Sequence, residues 1–231
     1  MSNWVLGISG YYHDSAAAIT KDGEIIAAAQ EERFSRKKHD PRFPQNAINF
    51  CLEEAFIDPS ELSAVVFYDN PILTWDRVVK NCISSGASSF EHFKKASQSI
   101  FGHKVWIKEQ CQNFLGSLGS LDKLLITEHH MSHAASAFYP SNLYESAIIT
   151  LDGVGEWSTM TMGYGEGNDL NLLKKIDYPS SLGLLYSAIT YYCGFKVNSG
   201  EYKLMGLAPY GDPLYYEIML KELIDIKEDG S

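Results

Sequence analysis

Two histidines of the sequence have a spacing that suits metal binding. His129 and His133 lie four residues apart in a segment with helical composition. Residues at this spacing share one face of an α-helix, so both imidazoles can bind the same ion. No glutamate directly follows His129, which disfavours the HExxH arrangement of metalloproteases. The pair therefore predicts a metal site, with two ordinary helix histidines as the alternative.

A third ligand is predicted at Asp152, which directly follows the apolar segment 147–151. This segment predicts a buried strand, and a carboxylate at its carboxyl end can face a cleft between two modules. Two imidazoles and one carboxylate suit Fe(II) or Zn(II) and leave positions for water or phosphate oxygens. We therefore predict a divalent-metal site formed by His129, His133 and Asp152.

Three glycine-containing segments are candidates for binding a nucleotide. Turns of this kind can hold phosphate through backbone N–H groups. Each segment taken singly is better explained by ordinary turn glycines, but two opposed turns with an acidic residue at the second are typical of a nucleotide cleft. The residues that we predict to bind the cofactor in these segments are Gly10, Gly153, Gly155, Glu201, Lys203 and Gly206.

The elements that must position these residues repeat along the chain. Three short segments rich in Val, Ile and Ala predict strands, and a helix is predicted from Pro44. A fourth strand, a mostly helical stretch at 73–118, a fifth strand at 124–127 and a helix at 129–138 follow. Three further strands are predicted at 147–151, 158–164 and 170–176, and helices at 182–192 and 213–224.

This order predicts an α/β protein with two ribonuclease-H-like modules, duplicated as in actin, hexokinase and Hsp70. The first module is predicted at residues 1–145, with the HxxxH helix, and the second at residues 146–231. We expect the second module to be incomplete, because three strands with one covering helix leave a sheet edge and a sheet face open.

The amino-acid composition indicates which kinds of binding partner and which cellular compartment are expected. The chain has 231 residues, 45% of them apolar, and a net charge of -10, which disfavours a broad electrostatic grip on nucleic acid. Four widely separated cysteines without a CxxC pair indicate a reducing compartment. No basic leader and no apolar run long enough to cross a membrane is found, so a cytoplasmic protein without a membrane partner is expected.

Five segments, taken together, resemble the O-carbamoyltransferases of the nodulation-protein and antibiotic-biosynthesis type. The resemblance extends over essentially all 231 residues and is to the amino-terminal half of the larger domain of these enzymes. The segments include Gly-Ile-Ser-Gly followed by His-Asp-Ser-Ala-Ala-Ala, and a basic stretch ending in Lys-Lys-His-Asp. In full, they are residues 7–18, 31–40, 129–138, 151–153 and 200–211.

The resemblance implies an ATP-dependent reaction in which carbamoyl phosphate is converted to a carbamoyl-adenylate and the carbamoyl group then passes to a small hydroxyl-bearing acceptor. The larger domain is similar to the tRNA threonylcarbamoyladenosine-forming enzymes, which bind Fe or Zn through an HxxxH pair and an Asp. His129, His133 and Asp152 match those ligands. By the same resemblance, His13 is the catalytic candidate at the acceptor and carbamoyl end of the cleft, and Lys38 lies near the adenylate phosphates.

Members of that family are more than twice as long as this chain. The resemblance therefore implies that the rest of the polypeptide supplies a further Asp ligand and the adenylate-forming domain, and that this fragment alone is inactive. It also allows a homodimer. Three alternatives stay open: a tRNA threonylcarbamoyl transferase, a sugar or acetate kinase of the same superfamily, and a noncatalytic nucleotide-binding fragment.

Overall fold

In the computed structural model, which describes residues 2–116 and 123–228, a meander of three antiparallel strands opens the chain. These strands are β1 (Trp4–Ser9), β2 (Ala16–Lys21) and β3 (Glu24–Gln30). Two further strands, β4 (Ala64–Phe67) and β5 (Leu124–Ile126), run parallel to β1 and give the order β3-β2-β1-β4-β5. This mixed sheet has the ribonuclease-H-like strand order, and the predicted α/β fold class is confirmed.

Helices fill the connections of this sheet. α1 (Glu32–Ser35) and α2 (Gln45–Ala55) follow β3, and α3 (Pro71–Ser85), α4 (Phe90–Gly102) and α5 (Ile107–Leu115) follow β4. α3 begins where it does because the Asn70 side chain accepts hydrogen bonds from the second and third backbone N–H groups. The stretch predicted as mostly helical at 73–118 thus consists of three helices, and its last two residues lie outside the described residues.

One face of the five-stranded sheet carries the main hydrophobic core. Leu6, Ile8 and Ile19 alternate along β1 and β2 and are almost fully buried, as the two-residue period of a strand dictates. They belong to one cluster with Ile48 of α2 and Cys111 of α5. Full burial of an aliphatic side chain of this size stabilises the fold by about 1.5–3 kcal/mol. The core therefore holds the strand ends, which carry the loops of interest, in fixed positions.

The second part of the chain repeats the antiparallel meander. Its strands are β6 (Glu145–Leu151), β7 (Ser158–Glu166) and β8 (Asp169–Asp177), in the order β6-β7-β8. α6 (His129–Phe138) precedes them, and α7 (Leu182–Tyr192), α8 (Glu201–Leu207) and α9 (Tyr216–Glu222) follow. The bounds predicted for α6 and α7 are confirmed. α8 is a difference from the sequence analysis, in which residues 199–211 are a glycine-rich turn.

The chain divides into two units, Met1–Ser132 and His133–Ser231. The division falls within α6, which is itself a continuous helix. The modules predicted at 1–145 and 146–231 follow the repetition of strands, a different criterion, and their boundary stays a prediction. Among the described helices, none is long and apolar enough to cross a membrane.

Candidate functional site

His129, His133 and Asp152 form a cluster of potential metal ligands. The two histidines lie one turn apart on α6, and Asp152 directly follows β6. A ligand atom from each of the three lies within 4.8 Å of the others. His133 Nε2 lies 3.9 Å from Asp152 Oδ2. Asp152 thus lies beside His133, and His129 lies one turn before His133 on the same helix.

The donor set fits the predicted metal. Side-chain exposure is 46% for His133 and 29% for Asp152, so the ligand atoms are reachable from solvent. Two imidazoles and a carboxylate are a set that Fe(II) and Zn(II) accept, with positions left for water or substrate oxygens. His130, which the helical period directs elsewhere, is buried. Metal binding itself stays a prediction.

The turn that carries Asp152 is held by the start of α7. Asp152 Oδ1 accepts a hydrogen bond from the Gly153 N–H at 2.7 Å, which fixes the carboxylate so that Oδ2 is the oxygen near His133. The Ser181 hydroxyl donates to the Gly153 carbonyl at 2.6 Å, and also caps α7. These contacts hold the turn that carries the Asp152 carboxylate against the start of α7.

Gly183 is a second element of this support that sequence reasoning missed. A Cβ at this position would lie 2.5 Å from the Asp152 carbonyl oxygen and 2.8 Å from the Gly153 nitrogen. Real Cβ atoms do not approach backbone so closely, so only glycine allows α7 to begin against this turn. The sequence signal that could have indicated this contact is Ser181 followed two positions later by Gly183, at the start of the predicted helix.

The glycine turns use their backbone groups within the protein. Gly10 is buried, and its carbonyl accepts a hydrogen bond from the Tyr68 hydroxyl at 3.3 Å. The Gly155 N–H donates to the Ser158 carbonyl at 2.8 Å, and the Gly153 N–H is held by Asp152 as described above. Phosphate binding by these glycines stays a prediction, and their visible role is to shape the turns.

The third glycine segment is organised by Glu201 at the start of α8. Its carboxylate accepts hydrogen bonds from the Ser187 hydroxyl at 2.9 Å, the Asn198 N–H at 3.1 Å and the Gly200 N–H at 3.2 Å. Partial burial raises the pKa of Glu201, but these hydrogen bonds outweigh it and lower the pKa. Lys203 and Gly206 lie exposed on α8. Their contact with a nucleotide stays a prediction.

His13 lies in the loop between β1 and β2, where it is half exposed. Its Nδ1 lies 2.7 Å from Asp14 Oδ2, and His39 Nδ1 lies 2.9 Å from Asp14 Oδ1. Asp14 and His39 are partners that sequence reasoning missed, because 25 residues separate them. Lys38, next to His39, is exposed in the turn after α1. The structure therefore places the catalytic candidate and the basic stretch in adjoining loops.

The uncovered face of the first sheet contains a cavity of about 490 Å³. Small residues such as Gly7, Ala16 and Ala18 line its floor, which is why the face is recessed. Its volume is in the range typical of small-molecule sites. Polar side chains in its wall come from the ends of β1, β3, β4 and β5 and from the start of α6. They are Ser9, Gln30, Tyr68, Thr127 and Ser132.

The strand order of the first unit and the His-His-Asp cluster define a ribonuclease-H-like protein with a candidate metal centre. Comparison with protein families matches residues 4–231 to "Carbamoyltransferase N-terminus". The chain therefore belongs to the carbamoyltransferase family, as the resemblance predicted.

Two curated proteins are similar to this chain over most of its length. An uncharacterized protein of Synechocystis, sll1178, is 51% identical over 98% of this chain, which covers 38% of that protein. The nodulation protein NolNO of Sinorhizobium fredii is 30% identical over 95% of this chain, which covers 31% of that protein. The chain thus spans about a third of the length of these relatives.

Among solved structures, YeaZ from Pseudomonas aeruginosa is similar, with a TM-score of 0.39 and 14% identity, over 77% of this chain and 68% of that one. These values are too low to support a functional comparison.

Proposed function

We propose that this chain is the amino-terminal part of an ATP-dependent O-carbamoyltransferase that carbamoylates a hydroxyl group of a small acceptor. The observation that carries the proposal is the family match over residues 4–231, and the His129, His133 and Asp152 cluster lies within the matched region. Carbamoyl phosphate would first be hydrolysed to carbamate and phosphate, and a carbamate oxygen would then attack the α-phosphate of ATP to give carbamoyl-adenylate and pyrophosphate. The carbamoyl group would then pass from this mixed anhydride to the acceptor.

In the transfer step, the acceptor hydroxyl oxygen bonds to the carbamoyl carbon. The bond from that carbon to the phosphate oxygen breaks, and AMP leaves with the electron pair. A base takes the hydroxyl proton, and His13 is our candidate because its ring is half exposed in a loop at the end of β1. A divalent ion held by the three ligands would supply positive charge for phosphate oxygens.

The nucleotide side of the proposal is based on the turns and the basic loop. Lys38 is exposed on a flexible four-carbon stem, and an ammonium group at this place can neutralise phosphate charge. Gly10, Gly153 and Gly155 would shape the surrounding turns. In the third segment, Lys203 is the exposed cation and Glu201 holds the loop before α8.

The adenylate-forming step is assigned to the remainder of a longer polypeptide, since this chain spans about a third of its relatives. A carbamoyl-adenylate must be protected from water until the acceptor arrives, and a partial site cannot exclude water. We therefore expect the 231-residue chain alone to transfer carbamoyl groups at the background rate.

The test compares this chain with a polypeptide that continues it to the length of its relatives. Each is given carbamoyl phosphate, ATP and a panel of hydroxyl acceptors, and carbamoylated product is followed by mass spectrometry. We expect product only from the longer polypeptide. His133→Ala in that polypeptide should lower the rate by about 10²-fold or more, because a metal supplies several kcal/mol of charge stabilisation.

The matched control is His92→Ala, which removes an exposed histidine of α4 and should leave the rate unchanged. Absence of carbamoylated product from the longer polypeptide with every acceptor would refute the proposal. Transfer to tRNA in place of small acceptors would favour the threonylcarbamoyl alternative. Equal rates for both histidine variants would remove His133 from the site.

A further inference from the structure

We propose that Asp14 is a positioning residue that holds His13 in the tautomer needed for proton abstraction, with His39 held by the same carboxylate. The inference rests on the proposed function only for the identity of the group that gives its proton to His13. The contacts of Asp14 with the two histidines are observed independently of that function. Asp14 Oδ2 lies 2.7 Å from His13 Nδ1, and Asp14 Oδ1 lies 2.9 Å from His39 Nδ1. One carboxylate thus engages two imidazoles, each through Nδ1.

The contacts determine which ring nitrogen carries the proton. An ionised carboxylate can only accept hydrogen bonds, so Nδ1 of a neutral imidazole must be the donor and Nε2 is left with its lone pair. Partial burial raises the pKa of Asp14, but hydrogen bonds from His39 and His13 outweigh it, and the pKa is lowered. The carboxylate is therefore ionised at neutral pH, and Nε2 of His13 is the proton acceptor.

The backbone around Asp14 is fixed from several directions. The Tyr11 N–H donates to the Pro41 carbonyl at 2.7 Å, and the Ser15 N–H donates to the Asp40 carbonyl at 2.9 Å. These two bonds flank Asp14 and tie its loop to the segment that follows His39. A carboxylate on a loop held at both sides keeps its direction, which a positioning role requires.

Hydrogen bonds also hold His39, through both its backbone and its ring. Its backbone N–H donates to Glu32 Oε2 at 2.8 Å, while its ring engages Asp14. His39 and Asp14 both have left-handed backbone conformations, with φ of 58° and 50°. Such conformations cost energy for residues other than glycine and persist where surrounding contacts enforce them. The two loops therefore form one hydrogen-bonded unit around the carboxylate.

The role of Asp14 in the proposed reaction follows from the positive charge that forms on His13. When the acceptor oxygen bonds to the carbamoyl carbon, its proton moves to His13 Nε2 and the ring becomes an imidazolium. The Asp14 carboxylate already accepts from Nδ1–H, so it stabilises the positive charge as it forms. His39 shares the carboxylate and keeps it from rotating. Asp14 acts only through His13 and does not touch the acceptor.

The first test measures the tautomer in this chain, without any reaction. Long-range ¹⁵N–¹H correlation spectra distinguish protonated from unprotonated ring nitrogens at a pH at which the imidazoles are neutral. We expect His13 with Nδ1 protonated in the wild type, and with Nε2 mainly protonated in Asp14→Asn, whose amide can donate to Nδ1. Asparagine also tolerates the left-handed conformation, so the loop should remain folded.

The matched control is Asp22→Asn, which makes the same change at another left-handed aspartate, with φ of 51°, in the turn between β2 and β3. The Asp22 carboxylate accepts a hydrogen bond from the Asn3 backbone N–H at 2.7 Å. Its variant should leave the His13 spectrum unchanged. The same His13 tautomer in wild type and Asp14→Asn would overturn the positioning role, whatever reaction the protein catalyses.

The second test measures carbamoyl transfer by the longer polypeptide. Asp14→Asn should lower kcat by about 10²-fold or more while KM for the acceptor changes little, since proton transfer contributes about this much. An altered tautomer with unchanged kcat would overturn the catalytic part of the inference. If the wild-type longer polypeptide transfers no carbamoyl group, the proposed function fails, and the spectra alone decide whether Asp14 positions His13.

Discussion

Asp40 is the residue whose charge the fold most clearly controls. Its side chain is 1% exposed, and Arg42 donates to both carboxylate oxygens, at 2.9 Å from Nε and 2.5 Å from Nη2. The Arg42 guanidinium holds the pKa of Asp40 well below its usual range. Because the Asp40 carbonyl also accepts from Ser15, this ion pair lies at the base of the two loops that carry His13 and His39.

Asp40→Asn should destabilise the fold in a pH-dependent manner. A pKa that is lower in the folded state stabilises that state above the unfolded pKa of about 3.9, and the contribution is lost as the pH falls toward the folded pKa. The difference in urea midpoint between wild type and variant should therefore be largest at neutral pH and shrink below about pH 4. Asp225→Asn, at an exposed carboxylate, is the control. A difference that is constant with pH would contradict this account.

At the scale of elements, the approach of α7 to the turn after β6 determines where Asp152 points. Gly183 permits this approach, and Ser181 ties α7 to the turn through the Gly153 carbonyl. The position of this predicted metal ligand thus depends on a helix that contributes no predicted ligand itself. Supports of this kind orient ligands, and their loss typically lowers metal affinity by about 10- to 100-fold.

Gly183→Ala should lower Zn(II) affinity by about 10-fold or more without removing a ligand, because the new Cβ must displace the Asp152 turn or the helix. Gly206→Ala is the control, since a Cβ there meets nothing within 4 Å. It should leave Zn(II) affinity unchanged and raise the stability of α8 by about 0.5–1 kcal/mol. Calorimetry with a competing chelator measures both affinities, and equal values would show that α7 does not position Asp152.

At the scale of the whole molecule, α7 has several large apolar side chains that are more than half exposed. Leu182, Tyr191 and Tyr192 are 53%, 75% and 87% exposed, and Thr190 is the buried residue of the helix. Exposed apolar clusters of this kind mark interaction surfaces. Since the relatives are about three times as long as this chain, we propose that the rest of the polypeptide covers α7.

Hydrogen exchange tests this expectation in the 231-residue chain and in the longer polypeptide. Amides of α7 should exchange more slowly in the longer polypeptide, because covering a helix reduces its local opening. Amides of α2, which packs into the core of the first unit, should exchange equally in both and serve as the internal reference. Equal exchange of α7 in the two proteins would show that it stays uncovered.

Features that depend on local periodicity are predictable from the amino-acid order alone. Strands β1 to β3 follow from apolar segments separated by turn residues, and α6 and α7 were predicted with the bounds that the structure shows. The spacing of His129 and His133 also fixes their common face, since the helical period is local. Family membership followed from motif order and is shown by the match over residues 4–231.

Contacts between side chains of distant segments are visible in the folded chain and not in its sequence. Asp14 and His39 are 25 residues apart in the sequence. Gly183 packs against the turn at Asp152, although Asp152 precedes it by 31 positions. No local sequence pattern predicts such contacts, because they depend on how the loops and helices pack against the folded β-sheet. α8 escaped prediction for a related reason: glycines normally disfavour a helix, and here the contacts of Glu201 with Ser187, Asn198 and Gly200 outweigh that preference.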